Sequence, residues 1–203
     1  EGRIRRIIIE IMDSISKSVR FLKEGKVIAH ATDTCYGFAC DAFNKSALLR
    51  LYRLKKMSKN KPISILVENY AQAEKYGKFS KKTRQLAKQF WPGALTIIVK
   101  RKKTVPPFLN SGTDTIGIRV PDNDLARQLM RKLGKPLTTT SANISDMPSP
   151  YSVSAIKRQF DGKKLKPDLI IDSGVLDRNN LPSTVVDATG KKLKIIRQGR
   201  LHL

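Results

Sequence analysis

Short β-branched apolar runs alternate along this chain with longer segments whose apolar residues recur every three or four positions, and that alternation limits the fold more than any other feature. Leu95-Thr96-Ile97-Ile98-Val99 is the clearest run, too short for a core helix and rich in residues that suit a buried strand. Lys26–His30, Pro62–Val67, Thr115–Val120, Pro136–Ser141, Leu169–Ile171, Thr184–Asp187 and Leu193–Arg197 read the same way. Between them lie helix signals. Asp13 or Ser14 caps a helix carrying Ile15, Val19 and Leu22, stopped by Gly25. Asn44 caps one with Ala47, Leu48, Leu51 and Tyr52 on a single face, and two short helices precede Trp91. Asp122 or Asn123 opens a helix with Leu125, Leu129, Met130 and Leu133 that Gly134 closes, and Ser152 caps a last one with Val153, Ile156 and Phe160. Strands interleaved with helices predict an α/β fold built on an open, twisted mixed sheet with flanking helices. Neither a repeat nor a Pro/Gly/Ser linker divides the chain, so residues 1–203 are expected to form a single domain.

Charge narrows the partners. Forty Lys and Arg against 17 Asp and Glu give a formal charge of +23. Such an excess concentrates anions around the protein and favours a nucleic acid or a phosphorylated ligand. The cations come in short clusters: Arg3-Arg5-Arg6, Lys55-Lys56-Lys59-Lys61, Lys81-Lys82-Arg84, Lys100 to Lys103, Lys163-Lys164-Lys166 and Lys191-Lys192-Lys194. That distribution describes a charged face on a folded body rather than a basic arm. Cys35 and Cys40 read as buried free thiols in a reducing cytosol, and the expected compartment is cytoplasmic. With only His30 and His202 available, no zinc set assembles at the usual spacings. There is no apolar run of membrane-spanning length, and residues 1–11 lack the small-residue cleavage site of a signal peptide.

Three segments hold more small hydroxyl and amide side chains than a core strand uses. Ala31-Thr32-Asp33-Thr34-Cys35-Tyr36-Gly37 follows one strand, Thr138-Thr139-Thr140-Ser141-Ala142-Asn143 ends another, and Pro182-Ser183-Thr184 opens a third. Loops at strand ends are the usual ligand edge of an open α/β sheet. Ser141 and Asn143 stand two apart, which on an extended backbone turns both to one side. Arg119 lies inside the apolar run Ile116-Gly117-Ile118-Arg119-Val120, where a guanidinium is costly unless an anion meets it. A ligand carboxylate would meet it, and so would an internal Asp or Glu. The chain carries neither a Gly-rich phosphate loop ending in Gly-Lys-Ser/Thr nor a Gly-x-Gly-x-x-Gly, and a Ser-His-Asp triad is hard to build from its two histidines. Chemistry here would rest on positioning and charge.

In this order, these segments resemble the Sua5/YrdC/YciO family. The matching pieces are residues 31–37, the Lys55 region through Lys61-Pro62, Phe90-Trp91-Pro92-Gly93-Ala94-Leu95-Thr96, Ile118-Arg119-Val120-Pro121, Thr140-Ser141-Ala142-Asn143, Ser149-Pro150, Ser183-Thr184-Val185-Val186-Asp187 and Ile196-Arg197-Gln198-Gly199. The resemblance implies a large, basic concave cavity and the synthesis of threonylcarbamoyl-AMP and pyrophosphate from L-threonine, bicarbonate and ATP, for modification of tRNA adenosine 37. It further implies the short form of the family, without the extra C-terminal domain of longer Sua5 members. Carried over by position, Lys55 and Arg119 become the catalytic pair. Lys55, Lys61, Thr115, Ser141, Asn143, Ser149 and Arg197 fall to ATP, and Thr34, Arg119, Thr139 and Ser183 to threonine. Mg2+ would be held mainly by ATP itself, with no protein metal site, and RNA, either tRNA or double-stranded, is the expected macromolecular partner.

Departures from the pattern open a second expectation. The family's Lys-x-Arg motif reads Lys55-Lys56-Met57 here, Ala31 replaces the usual Pro, and Leu66 stands where many synthases carry a polar residue. Lys56 and Lys59 lack the bidentate fork of an Arg. Met57 resembles the YciO branch, whereas Ser141-Ala142-Asn143 resembles the synthases. The alternative function is therefore a diverged YciO-like protein that binds RNA or nucleotide without the synthase reaction.

Overall fold

In the computed structural model the backbone is described for residues 2–203 and the side chains for residues 13–203, so the side chains of the Arg3-Arg5-Arg6 cluster lie outside the described set. The chain runs α1 (Gly2–Lys23), β1 (Ile28–Ala31), β2 (Tyr36–Ala39), α2 (Lys45–Lys55), β3 (Ser64–Leu66), α3 (Tyr70–Tyr76), β4 (Gly77–Lys78) and α4 (Lys81–Phe90). It continues with β5 (Leu95–Arg101), β6 (Thr115–Arg119), α5 (Asp124–Leu133), β7 (Leu137–Ser141), α6 (Val153–Phe160), β8 (Leu169–Ile170), β9 (Thr184–Asp187) and β10 (Lys194–Arg197). The strands form one open mixed sheet in the order β10-β9-β5-β6-β3-β7-β2-β1-β8, with β4 added alongside β5. The β1–β8, β3–β6 and β5–β9 pairs are parallel and the rest antiparallel. The α/β expectation holds.

Side-chain alternation separates two cores. Ile28 and Leu66 pack with Ile15, Leu22, Leu129 and Met130 under α1 and α5, while their neighbours Ala29 and Ile65 join Leu51, Phe38 and Phe160 on the other face. Successive strand residues point to opposite sides, so a sheet covered on both faces needs this paired apolar pattern. Burying each such Leu or Ile contributes about 1.5–3 kcal/mol. Three helices begin where a single amide oxygen accepts a backbone N–H: Asn44 from Ala47, Asn69 from Gln72 and Asn123 from Ala126.

The structure corrects several boundaries. The first helix does not start at Asp13 or Ser14 but runs from Gly2, so both lie in its interior. Tyr36–Ala39, whose first two residues belong to the segment read as a strand-end loop, is a fully buried strand between β7 and β1. Of the two candidate caps for α5, Asn123 is the one used. Cys35 and Cys40 are free and buried, as expected. Among the described residues no helix is long and apolar enough to cross a membrane.

Candidate functional site

Register brings the three hydroxyl-rich segments to neighbouring strands. Gly37 pairs with Ser141, Ser64 with Thr139, Leu66 with Arg119, and Leu95 with Thr184. Ser141 is the last residue of β7 and Arg119 the last of β6, while Ser183 immediately precedes β9. Thr139 and Ser141, two apart on β7, share one face.

Lys55, the last residue of α2, is only 3% exposed. Its ammonium donates to Ser141 O at 2.5 Å, Asn143 O at 2.7 Å and Asn143 Oδ1 at 3.2 Å. Three acceptors use all three of its N–H groups. Asn143 is equally committed: Oδ1 also accepts from Ser141 Oγ, and Nδ2 donates to Ile144 O and Met147 O. Burial lowers the Lys55 pKa to about 8, with the neighbouring charge of Lys61 acting in the same direction. Lys61 itself is exposed. Beside this clamp sits Ser145, whose backbone N–H donates to Lys55 O at 2.8 Å. Its Oγ is buried without a hydrogen-bond partner among the described residues.

Arg119 forms the second pole. Nη2 meets Asp33 Oδ1 at 2.5 Å, with side-chain exposures of 5% and 11%. Nε donates to Gly93 O at 3.0 Å, which leaves Nη1 without a partner among the described residues. An internal carboxylate thus answers the guanidinium, one of the two possibilities the sequence left open. Arg197 donates through Nε and Nη2 to Ser183 O, and through Nη2 to Ser183 Oγ at 3.1 Å. Ser183 Oγ in turn lies 3.1 Å from Thr96 Oγ1. Burial lowers the Arg197 pKa, and the Arg119 charge lowers it further, so the two guanidinium groups are electrostatic neighbours.

Cys35 joins the poles. Burial raises its thiol pKa, against the pull of the Arg119 and Lys55 charges. Both poles thus lie within electrostatic reach of one buried thiol. Gly199 closes the Arg197 side: a Cβ there would meet Pro182 O at 2.1 Å and the Ser183 carbonyl carbon at 2.6 Å. Only glycine permits that approach, and its N–H donates to Thr184 Oγ1 at 3.0 Å.

Thr115 begins β6, four residues from Arg119; Ile118, Ile65 and Thr138 stand level across β6, β3 and β7, so Thr115 and Ser141 lie at the same end of these strands. Leu66, at the position of the family's polar residue, is 1% exposed and packs with the α1–α5 core. Met57 packs against the core on the other face of the sheet. Sequence reasoning gave no site role to Asp33, Thr96, Cys35 or Ser145; Arg119 in an apolar strand pointed to some anion, without saying which. Among the described residues no group of three or more His, Cys, Asp and Glu side chains is placed to hold a metal ion. Hollows of about 430, 450 and 480 Å3 open elsewhere on the surface, away from these residues.

Fold and site together define an α/β protein that gathers two cationic poles and the hydroxyls of three strand ends at one place on a mixed sheet. The Sua5_yciO_yrdC family model, described as telomere recombination, matches residues 20–199, and the chain belongs to that family. It is 37% identical over 187 residues to the putative threonylcarbamoyl-AMP synthase of Methanocaldococcus jannaschii, covering 90% of this chain and 86% of that one. It is 33% identical over 203 residues to the threonylcarbamoyl-AMP synthase of Pyrococcus abyssi, covering 97% of this chain but 58% of the relative. Among solved structures, P. abyssi Sua5 complexed with L-threonine superposes with a TM-score of 0.84 at 33% identity, over 91% of this chain and 54% of that one. E. coli YciO superposes with a TM-score of 0.82 at 29% identity, over 92% and 89%. The chain thus spans little more than half the length of the Pyrococcus relative.

Proposed function

We propose that this protein condenses L-threonine, bicarbonate and ATP into threonylcarbamoyl-AMP, supplying the modification of tRNA adenosine 37 in the cytoplasm. What carries this reading is the framework that sets Arg119 on Asp33 and Lys55 on Ser141 and Asn143, with Gly37 of the Asp33 segment paired to Ser141, in a chain that resembles proteins named threonylcarbamoyl-AMP synthase.

Bicarbonate takes up the proton that the threonine ammonium gives up and loses water, and the free amine adds to the resulting carbon dioxide and releases its second proton to solvent to give a carbamate. A carbamate oxygen attacks the α-phosphorus of ATP, the bond from that phosphorus to the bridging oxygen of the β-phosphate breaks, and pyrophosphate leaves. The protein supplies position and charge rather than a covalent nucleophile. Nη1 of Arg119, the guanidinium nitrogen that Asp33 and Gly93 leave over, takes the threonine carboxylate. Thr34, Thr139 and Ser183 orient the amino acid, with Arg197 fixing Ser183. Ser141 and Ser149 meet the nucleotide, while Asn143 holds the loop that presents them. Lys61, exposed beside Lys55, meets the phosphates, and the Lys55 ammonium adds its field from beneath the loop it clamps. Mg2+ enters with ATP as part of the substrate, its ligands supplied mainly by the phosphates.

The test is pyrophosphate release from ATP. Release that requires both threonine and bicarbonate is expected; none above the protein-free blank refutes the reading.

A further inference from the structure

β3 and β6 are parallel neighbours in the sheet, Ile65 level with Ile118 and Leu66 with Arg119, so their carboxyl ends lie together. The helices that follow them go to opposite faces. α3 sends Ala73 and Tyr76 into the core that holds Ile65, whereas α5 sends Leu129, Met130 and Leu133 into the core on the other side. Adjacent parallel strands whose next helices diverge in this way leave a crevice beyond their ends, the place where open α/β sheets take up ligands. A hollow of about 450 Å3 opens there, walled by Tyr70 after β3, by Val120 and Arg127 after β6, and by Lys88, Trp91 and Pro92 around the end of α4. A second hollow of about 430 Å3 adjoins it and shares Glu68, Asn69 and Arg127. Volumes of this size suit a small molecule.

The walls set the ligand chemistry. Trp91 Nε1 donates to Leu95 O at 2.7 Å and the Tyr70 hydroxyl to Glu74 Oε1 at 2.9 Å, so the polar tips of both rings are spent on the chain. Phe79 packs edge-on to both, its ring centroid 5.5 Å from Tyr70 and 6.0 Å from Trp91. The two half-buried rings therefore offer fixed apolar surface to the hollow. Charge is lopsided there. Arg84, Lys88 and Arg127 line it against one carboxylate, Glu68, which already accepts from Arg131 Nε at 2.8 Å. Arg84 and Arg127 face Glu74 and Asp124, whose side chains are 39% and 83% exposed, and such open pairs are weak. Lys88 forms no ion pair among the described residues. Ring surface beside weakly answered cations matches a ligand with an aromatic body and one negative head.

We propose that this crevice binds a small aromatic carboxylic acid, its ring against Trp91 and Tyr70 and its carboxylate at Lys88 and Arg127. None of the residues assigned to ATP or threonine lines the hollow, so the site stands or falls independently of the synthase reading. Trp91 is the only tryptophan in the chain, and its emission reads the hollow directly. Phenylbutyrate serves as the probe, and phenylbutyramide, of the same shape without the charge, as its comparison. Both are titrated against the full chain under selective excitation of the indole. The variants are Lys88→Met, Tyr70→Ala and, as a control, Lys82→Met, which removes an exposed charge from the same helix away from the hollow.

A saturable change in Trp91 emission is expected, with the acid binding about tenfold more tightly than the amide at low salt and losing that advantage as salt is added. Lys88→Met weakens the acid about three- to fivefold and leaves the amide unchanged, while Lys82→Met alters neither. Tyr70→Ala weakens acid and amide alike, by about tenfold, because ring contact is common to both. Lys88 is exposed, so its variant melts with the parent and a loss of binding there is not a loss of fold. Emission that saturates with neither probe overturns the proposal. So does an acid that binds no better than its amide, which would leave only an apolar crevice. Equal weakening by Lys88→Met and Lys82→Met overturns it too, by tracing binding to the overall charge of +23. Parental affinity in Tyr70→Ala places the ring elsewhere and has the same consequence.

Discussion

Replacing Asp33 by Asn tests whether the Arg119 pole is built as described. The substitution keeps the shape and an acceptor oxygen but removes the charge that faces Nη2 at 2.5 Å, between side chains 5% and 11% exposed. Breaking a buried pair by deleting one partner costs about 3–5 kcal/mol when the remaining charge is uncompensated. Here the amide oxygen still accepts from Nη2, and Gly93 O still accepts from Nε, so about 2–3 kcal/mol is expected. For a chain of this size each kcal/mol moves Tm by about 2–4 °C, which places the variant about 5–10 °C below the parent. Without its carboxylate, Arg119 has more to gain from an external one. Saturating L-threonine should therefore raise the Tm of Asp33→Asn by more than that of the parent, measured by thermal denaturation at neutral pH. A variant that melts within about 1 °C of the parent would show that the pair contributes little. An equal threonine shift in both proteins would place the amino-acid carboxylate away from Arg119 and refute that part of the proposed function.

Two further predictions concern the other pole. Lys55 titrates at about 8 in the folded protein against an ordinary 10.5, so unfolding takes up a proton between those values and stability rises with pH across that window, by at most about 3 kcal/mol. Pyrophosphate release should move the opposite way, falling as pH rises through about 8 while the ammonium that holds Ser141 and Asn143 is lost. Activity that stays flat well above that pH would remove the Lys55 charge from the mechanism. Met57→Arg restores the guanidinium of the Lys-x-Arg pattern, and its stem can keep the apolar contacts of Met57 while the charge reaches out. A charge-assisted contact of about 1.5–3 kcal/mol predicts a gain of about tenfold to a hundredfold in kcat/KM for ATP. No change would show that the neighbouring lysines already supply that charge.

What was legible in the sequence was what single residues decide. Asn44, Asn123 and Ser152 announce helix starts because each side-chain oxygen accepts the backbone N–H three residues on, with no help from the rest of the fold. β9 could be read as Thr184–Asp187 because four β-branched or short residues leave few other options. β2 was not legible: it is four residues long, has Gly37 in its middle, and becomes a strand only because β7 and β1 flank it. β4, at two residues, carries no local signal at all.

The site divides along the same line. That Arg119 needs an anion follows from its own chemistry, but that Asp33 is the anion depends on how the β1–β2 connection folds back. Lys55 was read as facing phosphates, whereas all of its donors are spent on Ser141 and Asn143. The Lys55 pole is therefore satisfied internally before any ligand arrives, and the Arg119 charge is already answered by Asp33 although Nη1 is left over. A phosphate at Lys55 must share or displace an existing acceptor, and a carboxylate at Nη1 shares the guanidinium with Asp33, so the free energy of binding falls short of the full strength of a new ion pair. This makes Asp33 and the Ser141–Asn143 loop as decisive for affinity as the cations they hold, and it accounts for why cations buried to 3% and 4% exposure are tolerated next to an apolar core.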